Sequence, residues 1–420
     1  MDHRAEPELL FYAPVPGHTT AFYACSVRDG EAPAAARELL TADNLSAEHV
    51  VLSPTPPCHG LTLIFEARAA EYHVCNLSTG DHVTLPPCEP AAEVDSPLQF
   101  LDGARFHNIM TPWFPFERSS AGLAFDAATG EHKVVRLFKK PSGEASCEVY
   151  TLGGAEADGW RPCAGQVMPH VGSFLVGMPP VSLDGFLYWL RSPYVGYAEV
   201  LEEKPILSFN VSTEQFGWVH MPPELARRTS HLANLDGSLC AVVDNRCFFE
   251  LYELYTWSGA ASTSPSWSPR CSINLQSLPE QVSDELLEER DVIPLCSGAG
   301  GGGKGKILLA TGRHKVFAYD GERGTVERVF RMQDFVDFPE DHIQARLLLN
   351  VGLHEERVGD AVHLGGEGRL QVKLGRRGNT VVKREASVEH HDGSNRCTLD
   401  MFKRLAASRR ANATHKYPKL

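Results

Sequence analysis

The sequence predicts an all-β chain folded as a kelch-like β-propeller of six blades, with a flexible basic C-terminal tail. Three observations predict it. The first is a unit seen most clearly at residues 206–223. There an apolar run, Ile206-Leu207-Ser208-Phe209, meets the polar turn Asn210-Val211-Ser212-Thr213-Glu214 and returns through Phe216-Gly217-Trp218-Val219 to stop at Pro222-Pro223. Branched and aromatic residues suit a pleated sheet, Asn210 can hydrogen-bond its own backbone to reverse the chain, and the prolines cannot donate to a ladder. Related units stand at residues 72–87, 121–138 and 316–330. A β-unit recurring at tens of residues marks a propeller, whose blades cannot bury their faces alone. The second is a repeated tight turn, Asp184-Gly185 and Asp236-Gly237, each preceded by leucine and set between apolar runs. Asp-Gly favours hairpins because both residues tolerate positive φ. The third is composition: 43% hydrophobic residues in 420 supply a large core and exclude a disordered chain.

In chain order, residues 9–53 carry three or so strands, with a possible helical turn in the Ala-rich residues 34–40, and supply a sixth blade. Residues 61–65, 72–76 and 82–85 make the first clear blade. Residues 86–120 lack a clean period and hold a further Asp102-Gly103. Four-strand units then follow at 121–163, 180–219, 231–275 and 292–330, as a propeller requires. Closure by residues 343–351 is one option. The pattern fails beyond about Gly352. These boundaries predict a disordered N-terminus at 1–8, a propeller at 9–353 and a mobile tail at 354–420.

Charge is distributed unevenly. Residues 369–420 hold 13 Lys and Arg against 4 Asp and Glu, a net of +9, which leaves −22 for the first 368 residues of a chain whose formal charge is −13. A strongly acidic body argues against nucleic acid as a partner, and the dibasic pairs Arg376-Arg377, Lys383-Arg384, Lys403-Arg404 and Arg409-Arg410 read as a solvated tail or an import signal. A short amphipathic helix could form around Leu399, Phe402 and Leu405. Eleven cysteines without a CxxC pair fit free thiols in a reducing compartment, so a cytoplasmic or nuclear location is expected. No stretch has the length or apolarity of a membrane span, and no membrane partner is expected.

Several of these stretches together resemble the plant F-box-associated β-propeller domain. They are Cys58-His59-Gly60-Leu61 before Tyr72-His73-Val74-Cys75-Asn76; Gly122-Leu123-Ala124-Phe125-Asp126 before Lys133-Val134-Val135-Arg136; Cys147-Glu148-Val149-Tyr150-Thr151-Leu152 before Trp160-Arg161; Leu187-Tyr188-Trp189-Leu190; and Leu235-Asp236-Gly237-Ser238-Leu239-Cys240. Their order holds across roughly residues 9–335. The resemblance implies substrate recognition for a cullin-type ubiquitin ligase. Members usually begin with an F-box, a helical module that docks a Skp-type adaptor. Met1 to Glu8 leads straight into strand-like sequence, so the expectation is a chain that does not itself dock that adaptor. The alternatives are a stand-alone propeller scaffold or decoy, and a propeller enzyme of hydrolase or lactonase type.

Motifs for chemistry are few. Gly298 with Gly303-Lys304 has phosphate-loop spacing, but Gly305 stands where Ser or Thr would bind magnesium, so a hairpin connection is expected. His390, His391, Asp392 and Cys397 lie in the basic tail without a rigid frame, and no metal or other cofactor is expected. Asp126, Asp184, Asp236 and Asp320 recur at turns, and no Ser/His/Asp set stands out, so a non-catalytic binding module is expected. Its protein target is unnamed by the sequence. The binding candidates are Trp113, Phe114, Phe116, Tyr194 and Tyr197, which sit in long segments between strands, where aromatic anchors usually serve recognition. Packing of Trp113 and Phe116 onto the core is the competing reading. Asp184, Gly185, Asp236, Gly237 and Asn210 are expected as structural turns.

Overall fold

The computed structural model describes residues 8–15, 19–27, 35–47, 50–52, 56–66, 69–91, 119–153, 159–168, 179–191, 205–259, 266–289, 292–297, 306–312, 314–336, 351–356, 371–374 and 381–383. The chain divides into two compact units, residues 1–384 and 385–420. Every element below belongs to the first, and the second lies outside the described residues.

Six antiparallel sheets form a six-bladed β-propeller. Strands β1 (Glu8–Val15), β2 (Thr19–Cys25) and β3 (Ala35–Asp43) begin the closing blade. Blade one is β4 (Val50–Leu52), β5 (Leu61–Glu66), β6 (Glu71–Asn76) and β7 (His82–Thr84). Blade two is β8 (Ser119–Asp126), β9 (Glu131–Lys139), β10 (Ala145–Leu152) and β11 (Arg161–Pro162). Blade three is β12 (Val181–Leu183), β13 (Phe186–Leu190), β14 (Ile206–Asn210) and β15 (Gln215–Val219). A helical turn α1 (Pro223–Ala226) leads to blade four: β16 (His231–Leu235), β17 (Ser238–Asn245), the turn α2 (Arg246–Phe249), β18 (Leu251–Trp257) and β19 (Trp267–Asn274). Helix α3 (Glu280–Glu288) leads to blade five: β20 (Val292–Ser297), β21 (Ile307–Thr311), β22 (Lys315–Asp320) and β23 (Thr325–Arg331). Strand β24 (Val351–His354) completes the ring, and β25 (Gln371–Leu374) and β26 (Val381–Lys383) follow. Among the described residues no helix is long and apolar enough to cross a membrane.

The first strand of each blade is the innermost: β8 packs on β12, β12 on β16 and β16 on β20. The ring closes where β24 pairs antiparallel with β1, Leu9 opposite Leu353 and Phe11 opposite Val351. β1 therefore lies second in its sheet, and its alternating side chains serve two interfaces. Leu9, Phe11 and Ala13 join one cluster with Phe330, Met332 and Phe335 of blade five and its exit. Leu10 and Tyr12 join another with Val50, Leu52 and Ile64 of blade one. Phe11 sits 5.2 Å from the Phe330 ring, and the Tyr12 hydroxyl donates to the Val50 carbonyl at 2.7 Å. Trp189 and Phe209 fill the space between blades two and three, and Leu254 and Phe317 that between four and five.

Three expectations need correction. Residues 35–40 are not helical: Ala35–Asp43 is a strand, with a bulge opposite Phe22 and Tyr23 that turns both Leu39 and Leu40 inward. Pairing partners on both sides outweigh the weak helical preference of alanine. Residues 50–52 belong to blade one, because Val51 pairs with Phe65. The described closing strand is Val351–His354, and residues 343–350 of the expected closure lie outside the described set. The tail expected from residue 354 contains β25 and β26. They pair in turn with the two halves of β3, Lys373 opposite Thr41 and Val382 opposite Ala36, and form one interrupted outer strand. That strand covers an edge that would otherwise present unpaired N–H and C=O groups.

The strand pairing leads to a test. A chain ending at Gly368 loses β25 and β26, so it should melt several degrees lower and lose amide protection in Ala35–Asp43. A chain ending at Arg384 should keep both. Equal melting and equal exchange for the two would show that the outer strand contributes nothing to the fold.

Candidate binding face

Strand order gives the ring two unlike faces. Turns joining strands one to two and three to four of each blade share one face. Connections between strands two and three, and between blades, share the other. The turn face follows a local code. In four turns an Asn or Asp side chain accepts backbone N–H groups two residues on: Asn76 from Ser78, Asp126 from Ala128, Asn210 from Ser212 and Asp320 from Glu322, all at 2.9–3.0 Å. Four residues after the first of these pairs a glycine takes positive φ: Gly80, Gly130 and Gly324. In the Asn210 turn that place is held by Glu214, at φ 54°. Asp184-Gly185 and Asp236-Gly237 are equivalent hairpins on this same face, with all four residues at φ between 50° and 75°.

Glu214 tolerates its conformation because its carboxylate is tied down. Arg161 Nη1 reaches Oε2 at 2.8 Å and Nη2 reaches Oε1 at 2.5 Å, while the Ala164 N–H donates at 2.9 Å. Lys133 lies 3.6 Å away and bridges the blades, donating to Asp126 Oδ2 at 2.8 Å and to the Val211 carbonyl at 2.9 Å. Ser212 also donates to Asp126. Burial alone would raise the Asp126 carboxyl, but the Lys133 and Ser212 hydrogen bonds hold it well below the usual carboxylate range. Burial likewise works against ionised Glu214, and the Arg161 contact lowers it. Other buried carboxylates are also engaged: Glu148 with Arg136 at 2.7 Å, Asp244 with Arg246 at 2.7 Å and Glu289 with Lys315 at 3.4 Å. Among the described residues no three His, Cys, Asp or Glu gather as metal ligands.

The opposite face carries the longer connections. Its described part is organised by Arg246, a buried guanidinium. It grips Asp244 through Nε at 2.8 Å and Nη2 at 2.7 Å, and its Nη1 donates to the Leu286 carbonyl of α3. The clamp joins α2 to α3. Glu250 then closes α2 in the left-handed region, its N–H donating to the Arg246 carbonyl at 3.0 Å. That turn leaves Phe249 71% exposed, the large apolar side chain left in solvent among the described residues. Helix α3 buries Ser283 and Leu286 and turns Glu280, Gln281 and Asp284 outward, while Arg328 Nη1 donates to both carboxylate oxygens of Glu285 at 2.9 and 2.7 Å.

Trp113, Phe114, Phe116, Tyr194 and Tyr197 lie outside the described residues. Phe249 is not among the binding residues expected from the sequence, which places it inside the four-strand unit 231–275. The signal was available in Phe248-Phe249 between two apolar runs. Asp184, Gly185, Asp236, Gly237 and Asn210 lie at the reversals between paired strands. Trp189 is core, its Nε1 donating to Ser120 at 3.1 Å, and Trp160 is half-buried with Nε1 on the Pro86 carbonyl at 2.8 Å. The motifs at Gly298, Gly303 and Lys304, and at His390, His391, Asp392 and Cys397, lie outside the described residues. Lys306 follows the first as a described residue between β20 and β21.

Known proteins give the following comparison. Among solved structures, a nidogen/laminin complex shares 13% identity at a TM-score of 0.39, over 83% of this chain and 98% of that one. A Bacteroides thetaiotaomicron protein of unknown function shares 10% at 0.34, over 76% and 78%. The major allergen Mala s 1 of Malassezia sympodialis shares 9% at 0.34, over 83% and 97%. No curated protein matches the chain. A family model described as the F-box associated beta propeller domain matches residues 9–330, from β1 into β23.

The turn-face network and the buried histidines lead to two tests. Glu214→Gly removes left-handed strain of about 1 kcal/mol but strips a carboxylate from a partly buried cluster, for a net loss of roughly 1–3 kcal/mol in urea unfolding. A stabilised variant would show the cluster to be idle. Burial lowers His73, His231 and His354 to about 4 from an ordinary 6.5. Below about pH 6.5 the unfolded chain binds more protons than the folded one. Stability is therefore full above that pH and falls toward pH 4, by about 1.4 kcal/mol per pH unit per histidine. Denaturation midpoints that stay flat between about pH 7 and pH 5 would contradict this.

Proposed function

The chain belongs to the F-box-associated β-propeller family, and from that premise we propose that it is a protein-recognition module that holds its target on the loop-rich face. In this reading the propeller is the substrate-binding part of a cullin-type ubiquitin ligase. The observation that carries the face is Phe249, exposed on a turn that the Arg246 clamp keeps rigid. An aromatic held in place before binding loses little entropy on contact and makes a good anchor. The helix that the clamp holds is acidic on its outer side, with Glu280 and Asp284 exposed, on a body of charge −22. The fitting target is a segment with an apolar anchor flanked by Lys or Arg. Engagement of Asp126, Glu148, Glu214, Asp244 and Glu289 in ion pairs supports binding over catalysis, since none is left poised as an acid or base.

The test compares affinity capture by the full chain with capture by Phe249→Ala, by a Trp113→Ala/Tyr194→Ala double variant and by the turn-face control Glu322→Ala. Loss of a hot-spot aromatic typically costs about 2 kcal/mol or more, roughly 30-fold in Kd. The target should be weakened by Phe249→Ala and retained by Glu322→Ala. Equal binding by wild type, Phe249→Ala and the double variant would place recognition elsewhere, and loss with Glu322→Ala alone would move it to the turn face.

A further inference from the structure

We propose that Cys147 and Cys163 form a peroxide-responsive thiol pair at the junction of blades two and three, with Cys163 as nucleophile and Cys147 as the thiol that resolves it into a disulfide. The register carries the geometry. Val149 pairs with Arg161 and Glu148 with Pro162, so Cys147 falls directly opposite Cys163. The Cys163 N–H donates to the Cys147 carbonyl at 3.1 Å. Residues directly opposite on an antiparallel pair project from the same face, with Cα atoms about 4.5–5.5 Å apart, inside the range a disulfide spans.

The pair is asymmetric. Cys147 is 2% exposed, in the cluster with Leu187, Trp189 and Phe209. Cys163 is half-buried just past the two-residue edge strand β11, where a small solute has access. Interaction between the two thiols lowers Cys163 and raises Cys147. The Gly165 carbonyl lies 3.2 Å from the Cys163 sulfur. Two carboxylates face the pair and disfavour a thiolate. Glu214 is neutralised by Arg161 and Glu148 by Arg136. Other thiols run the opposite way: burial pushes Cys75 and Cys296 up to about 12 and Cys271 to about 11. A low thiol with access, backed by a second thiol directly opposite in the strand register, is the arrangement of a redox-sensing cysteine.

The step balances with hydrogen peroxide as oxidant. The Cys163 thiolate attacks one peroxide oxygen, the O–O bond breaks, and the other oxygen leaves as hydroxide and takes up a proton. Cys163 is then a sulfenic acid. Cys147 gives up its proton and attacks that sulfur, an S–S bond forms, and the hydroxyl leaves as water. Two thiols and one peroxide become one disulfide and two waters. The bond would staple the segment that follows β11 to β10. That segment is already wedged against the neighbouring blade: Ala164 donates to Glu214, and a Cβ on Gly165 would meet the Glu214 carbonyl oxygen at 2.1 Å.

The test treats the full chain with graded hydrogen peroxide, caps remaining thiols and maps peptides by mass spectrometry without reduction. A linked Cys147–Cys163 peptide should appear before any oxidation of the half-buried Cys58 or Cys88, and dithiothreitol should reverse it. Cys147→Ser should accumulate dimedone-trapped sulfenic acid at Cys163, and Cys163→Ser should show neither a link nor trapping at Cys147. If Cys147 and Cys163 are both still capped when Cys58 or Cys88 is already oxidised, the proposal fails. Wild-type mapping alone decides this, whatever the folding of the variants.

Discussion

The pairing of β24 with β1 is the constraint on which the rest of the molecule depends. A single blade cannot bury either of its faces, and a row of blades leaves two faces open at its ends. Only a sheet that contains both an early and a late strand removes them. Here the late strand is innermost, so three early strands wait for one that lies more than 300 residues further on. The same sheet acquires β25 and β26 on its outer side, so the late part of the unit flanks the early strands at both edges. Such long-range pairing carries a large loop-closure cost before it is rewarded, which places the ring late in folding.

The two faces then divide the work. On the turn face, Asn and Asp side chains satisfy backbone N–H groups at tight reversals, and glycine supplies the left-handed residue. The Asn210 turn departs from this rule at Glu214, and the departure coincides with an ionic cluster of Asp126, Lys133, Arg161 and Glu214 at a blade junction. A strained residue held by its own side chain links local geometry to tertiary packing. Removing one member of such a cluster leaves the others buried without a full set of partners, which is why it specifies how blades two and three meet.

On the other face the connections are longer and chemistry can vary without disturbing the sheets. The Arg246 clamp is a buried device that serves an exposed residue: it fixes α2 on α3 and so fixes Phe249. Rigid presentation matters for recognition because ordering a side chain on binding subtracts from affinity. The acidic outer side of α3 adds selectivity for partner charge more than strength.

Much of this was legible in the chain. Apolar runs separated by Asp-Gly, Asn-x-Ser-Thr and Thr-Gly turns are local signals, because a hairpin depends on φ preferences and hydrogen bonds within a few residues. They revealed the blades, the two equivalent turns at Asp184 and Asp236 and the turn at Asn210. Residues 34–40 read as a possible helical turn because their alanines favour a helix in isolation, and only β2 on one side with β25 and β26 on the other make Ala35–Asp43 a strand. The place of Val351, the outer strand after residue 370, the exposure of Phe249 and the meeting of Cys147 with Cys163 were decided by tertiary structure. Each depends on which distant segments become neighbours, and that is set by closing the ring, a condition that no short stretch of sequence can express.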